Sequence, residues 1–292
     1  MAWLQLRVHT RHPEFADEVL QAHGASAVSF IDAVDDPVLE PAPGETPLWP
    51  HTVTRGLFAE DTDLAPVIAS LRELLPDGAE LRCERELIED QDWVRIWLKD
   101  CPPLRFGERL WVVPREKVGE VNQADAVILR LDPGLAFGTG THPTTALCLE
   151  WLAGQDLRGR TVLDYGCGSG VLAIAALLLG AERAVCVDID PQALTATRDN
   201  AAENGVGTRV TTLLAQDFVP VPADVVVANI LANPLIELAP LLARSIVRGG
   251  RLALAGLLDR QAEEVRSAYT PWFTFDGDVS REGWTRISAH RT

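Results

Sequence analysis

The chain is predicted to be an α/β protein whose larger part is a doubly wound, mainly parallel sheet. From about residue 125 onward, short apolar runs alternate with helical stretches, a pattern typical of parallel sheets covered by helices on both faces. Within this part, the stretch from Thr161 to Asp190 has the order strand, glycine-rich turn, helix and second strand. This order is half of a nucleotide-binding βαβ unit.

The first part of the chain has a different pattern. Its predicted elements are strands around Trp3 to Val8, Ala27 to Ile31, Thr52 to Ala59 and Glu80 to Glu84, with helices from Pro13 to His23 and Asp63 to Leu75. The stretch from Asp32 to Pro50 is rich in Pro, Asp and Glu and is predicted to be a loop. The order β-α-β-β-α-β predicts a small α+β, ferredoxin-like domain over residues 1–86. Because no group of catalytic side chains is evident in it, we expect it to recognise a substrate.

Residues 87–124 fit neither domain and are predicted to be a linker that packs on the second one. Trp93, Ile96 and Trp97 have helical spacing, two prolines follow, and Leu110 to Val113 is an apolar strand. The two tryptophans are expected to be packing anchors.

Residues 125–292 are predicted to form the second domain. Its strands are expected at Val127–Leu131, Thr161–Asp164, Ala184–Asp188, Arg209–Leu214, Asp224–Asn229 and Arg251–Ala255, with helices at Pro191–Asn204 and Pro234–Val247. Two further runs, Phe273 to Asp276 and Trp284 to Ser288, flank Gly283 and predict a hairpin at the edge of the sheet.

The glycine-rich turn indicates which cofactor binds. Gly166, Gly168 and Gly170 have the spacing G-x-G-x-G, whereas dinucleotide-binding folds use G-x-G-x-x-G. Asp164 precedes the turn, and a carboxylate there would repel a pyrophosphate but suits a ligand with an ammonium and a sulfonium group. Asp188 ends the next strand and is placed to accept hydrogen bonds from ribose hydroxyls. The pattern favours S-adenosylmethionine as the ligand.

Two further strands are followed by polar residues at the edge where ligands bind in such sheets. Asp217 is a candidate acceptor for the adenine amino group, and Asn229 offers a donor and an acceptor beside the reactive sulfur. The alternatives are that Asp217 caps a turn and that Asn229 caps the following helix. Ile230 and Leu231 follow Asn229 in place of the N-P-P-aromatic motif of enzymes that methylate planar amides and bases, which favours a flexible amine as acceptor.

The segment from Leu131 to Leu152 is the other unusual stretch. Glycines, threonines and a histidine precede Pro143, which suits the first turn of a helix and places Thr144 and Thr145 in that turn. Free N–H groups and hydroxyls there are candidates for binding the carboxylate of the donor. The alternative is an ordinary, well-capped helix. No P-loop is present, since Thr141 follows Gly140 where that motif requires Lys.

The net charge of the chain indicates which kind of macromolecule it binds. The net charge of the 292 residues is −16, and residues 1–100 hold 20 acidic and 8 basic residues. This balance disfavours a nucleic-acid substrate, which requires a basic face. It favours a basic protein partner, although acidity also serves solubility.

Neither a disulfide framework nor a zinc site is indicated, since the five cysteines are scattered without a C-x-x-C pair. The longest apolar run, Val171 to Leu179, is too short to span a membrane. The N-terminus lacks the features of a secretory leader. We therefore expect a cytoplasmic protein with no membrane partner, acting as a monomer.

Four segments together resemble the bacterial methyltransferases of large-subunit ribosomal protein L11, the PrmA family. They are LDPGLAFGTGTHPTT, DYGCGSGVLAIAALLLGA, VDIDPQALTATRDNAAENGV and ADVVVANILANPLIELAPLL. The resemblance covers almost the whole second domain, and the small acidic first domain also matches that architecture. It implies transfer of methyl groups from S-adenosylmethionine to lysine side chains and the N-terminal amine of that ribosomal protein. It also implies a seven-stranded class I methyltransferase sheet and donor contacts at Thr145, Gly166, Asp188 and Asn229. From its position beside the sulfur, Asn229 is in addition the candidate catalytic residue that faces the incoming amine.

Three other functions stay open from the residues. A small-molecule methyltransferase of this fold needs no extra N-terminal domain, and a nucleic-acid methyltransferase needs a basic face. A non-enzymatic protein that senses the cofactor would keep Gly166 and Asp188 and show no transfer to any protein.

Overall fold

A computed structural model describes residues 2–34, 48–49, 51–77, 80–88, 101–132 and 142–292. The chain divides into two compact units, Met1–Trp93 and Val94–Thr292. The first unit has one hydrophobic core, and the second has a core on each face of its main sheet.

The N-terminal unit is a four-stranded antiparallel sheet with two helices. Its elements are β1 (Trp3–His9), α1 (Pro13–Ala22), β2 (Ala27–Asp32), β3 (Thr52–Ala59), α2 (Leu64–Leu74) and β4 (Arg82–Ile88). The strand order is β2-β3-β1-β4, and every neighbouring pair is antiparallel. Leu6 and Val8 of β1 alternate with polar residues and face the helices, where they pack with Leu20 of α1 and Leu71 of α2. All six predicted elements are present, and β4 begins two residues later than expected.

The segment predicted as a linker contains part of a small three-stranded sheet. Its strands are β5 (Leu104–Phe106), β6 (Leu110–Val113) and β7 (Val127–Arg130). The assignment of the Val127 strand to the doubly wound sheet is wrong, because β7 pairs in parallel with β6 instead. Leu129 of β7 and Val112 of β6 pack in the core beneath the helices of the second unit. An apolar run alone does not specify its partner strand, so the sequence could not separate the two sheets. The helix expected around Trp93 lies outside the described residues.

The main sheet of the second unit has seven strands in the order β10-β9-β8-β11-β12-β14-β13. They are β8 (Thr161–Tyr165), β9 (Arg183–Asp188), β10 (Val210–Leu214), β11 (Ala223–Asn229), β12 (Ile246–Leu258), β13 (Phe273–Arg281) and β14 (Trp284–Arg291). Strands β8 to β12 pair in parallel, and β14 is antiparallel to both of its neighbours. The predicted C-terminal hairpin is confirmed, with β13 outermost.

Helices cover both faces of this sheet. They are α3 (Pro143–Ala153), α4 (Val171–Leu178), α5 (Pro191–Glu203), α6 (Ala232–Arg244) and α7 (Ala262–Tyr269). Helices α3, α4 and α5 pack on one face, and α6 and α7 on the other. The sheet is therefore doubly wound as expected, and the carboxyl ends of β8, β9, β10 and β11 meet at one edge. The eight-residue α7 was not predicted, because it is short and carries only two buried residues.

None of the helices in the described residues has the length and apolarity needed to cross a membrane. The five cysteines are free thiols. In the same described ranges, no group of three or more His, Cys, Asp or Glu side chains is arranged to hold a metal ion.

Candidate functional site

The glycine-rich turn between β8 and α4 is built on backbone conformations that glycine adopts easily. Gly166, Gly168 and Gly170 have φ values of 79°, 53° and 79°. A Cβ on Gly166 would lie 2.1 Å from Cγ2 of Ile230, and one on Gly170 would lie 2.8 Å from Cγ2 of Thr197. The turn thus lies close to the segment that follows β11.

Asp188, at the end of β9, holds this turn in place. Its Oδ2 accepts a hydrogen bond from the backbone N–H of Gly168 at 2.9 Å, and its Oδ1 accepts one from the N–H of Asp190 at 3.0 Å. The N–H groups of Gly166 and Cys167 donate to the carbonyl of Val187 at 2.7 and 3.1 Å. A carboxylate has about four lone-pair sites, so Asp188 retains acceptor capacity for hydroxyl groups of a ligand. The structure brings Asp188 and the glycines together, as the sequence predicted.

Asp164 lies behind the turn with its side chain fully buried. Its Oδ2 accepts a hydrogen bond from the N–H of Ala173 in α4 at 3.1 Å, whereas its Oδ1 is buried without a partner in the described part of the chain. Burial, together with the negative charge of Asp188, raises the pKa of Asp164 to about 7. With a pKa of about 7, this buried, half-satisfied carboxyl group beside the turn is only partly ionised at neutral pH.

Asn229 and Thr145 also meet at this edge. The side-chain Nδ2 of Asn229 lies 3.3 Å from Oγ1 of Thr145, to which it donates. Thr145 is in the first turn of α3, where His142 is the N-cap and its Nδ1 accepts from the N–H of Thr144. Helix α6 has Leu231 as its N-cap, so the structure does not place Asn229 in a capping role. The glycine-rich segment of residues 133–141 lies outside the described residues.

Asp217 is an exposed residue near the other predicted site residues. It lies in a short 3-10 turn after β10, is exposed, and accepts no hydrogen bond from the described residues. Its neighbour Phe218 packs edge-to-face on Tyr165, the last residue of β8, with ring centroids 5.7 Å apart. Since Leu214 is opposite Asp188 in the β9–β10 pairing, Asp217 lies at the same edge of the sheet as the other site residues.

One residue at this edge, Ile189, was not predicted from the sequence. Ile189 directly follows Asp188 and is 84% exposed, which is unusual for an isoleucine and offers an apolar surface beside the Asp188 carboxylate. Ile230 contacts the turn at Gly166, and its carbonyl lies close to Gly256. An apolar residue immediately after an acidic strand end was the available signal for Ile189. Ile230 was noted in the sequence only for its position after Asn229, and its contact with the turn was not predicted.

Comparison with known proteins identifies the family. The sequence model of "Ribosomal protein L11 methyltransferase (PrmA)" matches residues 2–292. The chain belongs to the ribosomal protein L11 methyltransferase family. Family members from Ectopseudomonas mendocina and Azotobacter vinelandii are each 54% identical to it, over 99% of both chains in the first case and 100% in the second.

A solved structure of a family member has the same fold. The ribosomal protein L11 methylase from Lactobacillus delbrueckii subsp. bulgaricus is 33% identical, with a TM-score of 0.60 over 66% of this chain and 100% of that chain. The fold of this L11 methyltransferase family member is thus a methyltransferase-like α/β fold with a mainly parallel central sheet.

Proposed function

We propose that this protein transfers methyl groups from S-adenosylmethionine to lysine side-chain and N-terminal amines of ribosomal protein L11. The observation that carries the proposal is the match of the whole chain to the L11 methyltransferase family. At the ligand-binding edge of its sheet, this chain has hydrogen bonds between Asp188 and Gly168 and between Asn229 and Thr145. The alternatives of a small-molecule enzyme, a nucleic-acid enzyme and a cofactor sensor do not account for that match.

The residues present fit the methyl donor. Asp188 has acceptor capacity for the ribose hydroxyls, Ile189 offers an apolar surface for the adenine ring, and Asp217 is an exposed acceptor for the adenine amino group. Gly166 and Gly168 allow the turn its positive φ values, which other residues rarely adopt. When bound, S-adenosylmethionine supplies a methyl group on a positively charged sulfur.

Asn229 is proposed to orient the acceptor amine. Its Nδ2 is engaged by Thr145, so its amide orientation is fixed and its Oδ1 remains available to accept from an amine N–H. An acceptor amine must be neutral to react, and the pKa of lysine is ordinarily about 10.4. A positive charge nearby and exclusion of water both disfavour the ammonium form. Positioning of the amine by Asn229 then supplies the catalysis without a dedicated base.

The domain roles follow from the same proposal. Residues 1–86, with their ferredoxin-like strand order, recruit the protein substrate. Residues 87–124 are the linker between the two domains, and residues 125–292 form the class I methyltransferase domain. Residues 1–100 carry 20 acidic against 8 basic residues, which suits a basic ribosomal protein and no direct contact with nucleic acid. The enzyme is also proposed to act as a monomer in the cytoplasm.

The test is incubation of the purified protein with labelled S-adenosylmethionine and the separated proteins of ribosomes that lack the modification. We expect label on L11 and on no other ribosomal protein. Label on ribosomal RNA, or on several proteins equally, would contradict the proposal.

A further inference from the structure

The tip of the C-terminal hairpin lies at the same edge of the sheet as the proposed site. In β12, Ala255 is opposite Asn229, and Leu258 is opposite Trp284, the first residue of β14. Three strand residues span about 10 Å, so the tip extends beyond Asn229 at the edge where the ligand binds. The tip is anchored there, because the N–H of Asp259 donates to the carbonyl of Gly283 at 3.0 Å.

A series of contacts leads from this tip through His142 and Thr145 to Asn229. The indole ring of Trp284 and the imidazole ring of His142 pack edge-to-face with centroids 4.9 Å apart. His142 caps α3, and Thr145, three residues later, contacts Asn229. Three residues of helix rise about 4.5 Å, so less than one turn of α3 separates His142, which contacts Trp284, from Thr145, which contacts Asn229. Trp284 is only partly buried, which leaves part of the indole open to a ligand.

Glu282 at the tip has a backbone conformation that glutamate rarely adopts. Its φ is 53°, and it is the one non-glycine residue with positive φ in the described part of the chain. Two-residue hairpin turns of this kind favour Asn or Gly, because other side chains are strained there. A glutamate kept at this position at the expense of backbone strain points to a role for its carboxylate.

The carboxylate of Glu282 is free to bind a cation. The side chain is exposed, and no hydrogen bond or ion pair to it is found among the described residues. It lies close enough to His142 to act on it: burial lowers the pKa of His142, and the negative charge of Glu282 opposes that shift. Glu282 is the charged group that acts on the imidazole ring of His142 from the hairpin. Within α3, the polar neighbour of that ring is the hydroxyl group of Thr144.

We propose that Glu282 and Trp284 form the entrance through which the ammonium group of the substrate reaches Asn229. Glu282 attracts and orients the ammonium by charge, and Trp284 contacts the methylene stem and then the charged group through its ring. Each added methyl group removes an N–H donor but keeps the positive charge, so the contact with Trp284 persists when hydrogen bonding to Glu282 is lost. The inference rests on the proposed function in that the ligand is a protein amine.

The charge of Glu282 is tested by steady-state kinetics with L11 at saturating donor. Glu282→Gln and Glu282→Asn should each raise KM for L11 about fivefold with kcat nearly unchanged, the effect expected of one partly exposed ion pair. The increase should shrink as salt is raised. Donor affinity, measured by calorimetry, should stay at the wild-type value. Glu282→Asn should not lower Tm, because Asn tolerates this conformation. Glu264→Gln, an exposed site on α7, is the matched control and should leave KM unchanged.

The role of Trp284 is tested by mass spectrometry of the product. Trp284→Phe, which keeps an aromatic ring, should give the wild-type distribution of methylation states, and Trp284→Leu should accumulate lower states. The inference would be overturned if KM for L11 is unchanged in both Glu282 variants, or if Glu264→Gln raises KM as much as they do. Glu282 variants that lose affinity for the donor and for L11 equally would also overturn it. A wild-type protein that methylates no amine would instead contradict the proposed function.

Discussion

The buried carboxyl group of Asp164 predicts a specific pH dependence of stability. Burial and the charge of Asp188 raise its pKa from 3.8 to about 7. Between those pH values the folded protein holds a proton that the unfolded chain has already released. The free energy of unfolding therefore falls as pH rises through this window. A difference of about three pKa units corresponds to about 4 kcal/mol of lost stability above pH 7.

Asp164→Asn replaces the carboxyl group by a neutral amide of the same shape, which removes this dependence. At pH 8 the variant should exceed the wild type by about 1–3 kcal/mol, because the amide leaves a buried polar atom without a partner and so offsets part of the gain. At pH 4.5 the variant should be no more stable than the wild type. Urea unfolding at both pH values measures the difference, with Asp199→Asn on the exposed side of α5 as the control. If wild type and Asp164→Asn lose stability in parallel from pH 4.5 to 8, the carboxyl group does not titrate as argued.

Three further predictions concern the proposed site and the domains. Asp188→Ala removes the acceptor for the ribose and should weaken donor binding by about 1.5–3 kcal/mol, or roughly 10- to 150-fold, in calorimetry, whereas tight NAD binding would contradict the assignment. Asn229→Ala should reduce kcat more than it weakens donor binding, because orientation of the amine acts mainly in the transition state, and equal losses would make Asn229 a simple donor contact. A chain that begins at Glu89 should, if it folds, bind the donor with wild-type affinity and lose most transfer to L11, and a full rate of transfer would remove the recruiting role of the N-terminal domain.

The elements that the sequence predicted well are those with a local physical signal. The glycines of the turn require positive φ, Pro143 and Pro191 begin helices, and the hairpin at Gly283 follows from its turn residues. These features depend on the backbone conformation of one or two residues. They are therefore visible without knowledge of the fold.

The features that were missed depend on contacts between distant segments. The pairing of β7 with β6 is not encoded in the apolar run around Val127, which fits either sheet equally well. The packing of Trp284 on His142 likewise joins β14 to the start of α3 and is not encoded in a local pattern. Thr145 and Asn229 were both expected near the donor, but the hydrogen bond between them, across 84 positions, was not predicted. The positions of Asn229, Asp188 and Asp217 at strand ends predicted that all three lie at one edge, but not that Asp217 accepts no hydrogen bond from the described residues.

The central claim is that the edge formed by Asp188 and Asn229 methylates amines of ribosomal protein L11. The most direct measurement is tandem mass spectrometry of unmodified L11 after incubation with the wild-type protein and S-adenosylmethionine, with Asn229→Ala run in parallel. We expect added methyl groups on lysine side-chain nitrogens and on the N-terminal amine, and far fewer of them with Asn229→Ala. Methyl groups on carboxylate, thiol or amide atoms, or an unmodified L11 with the donor bound to the wild-type protein, would contradict it.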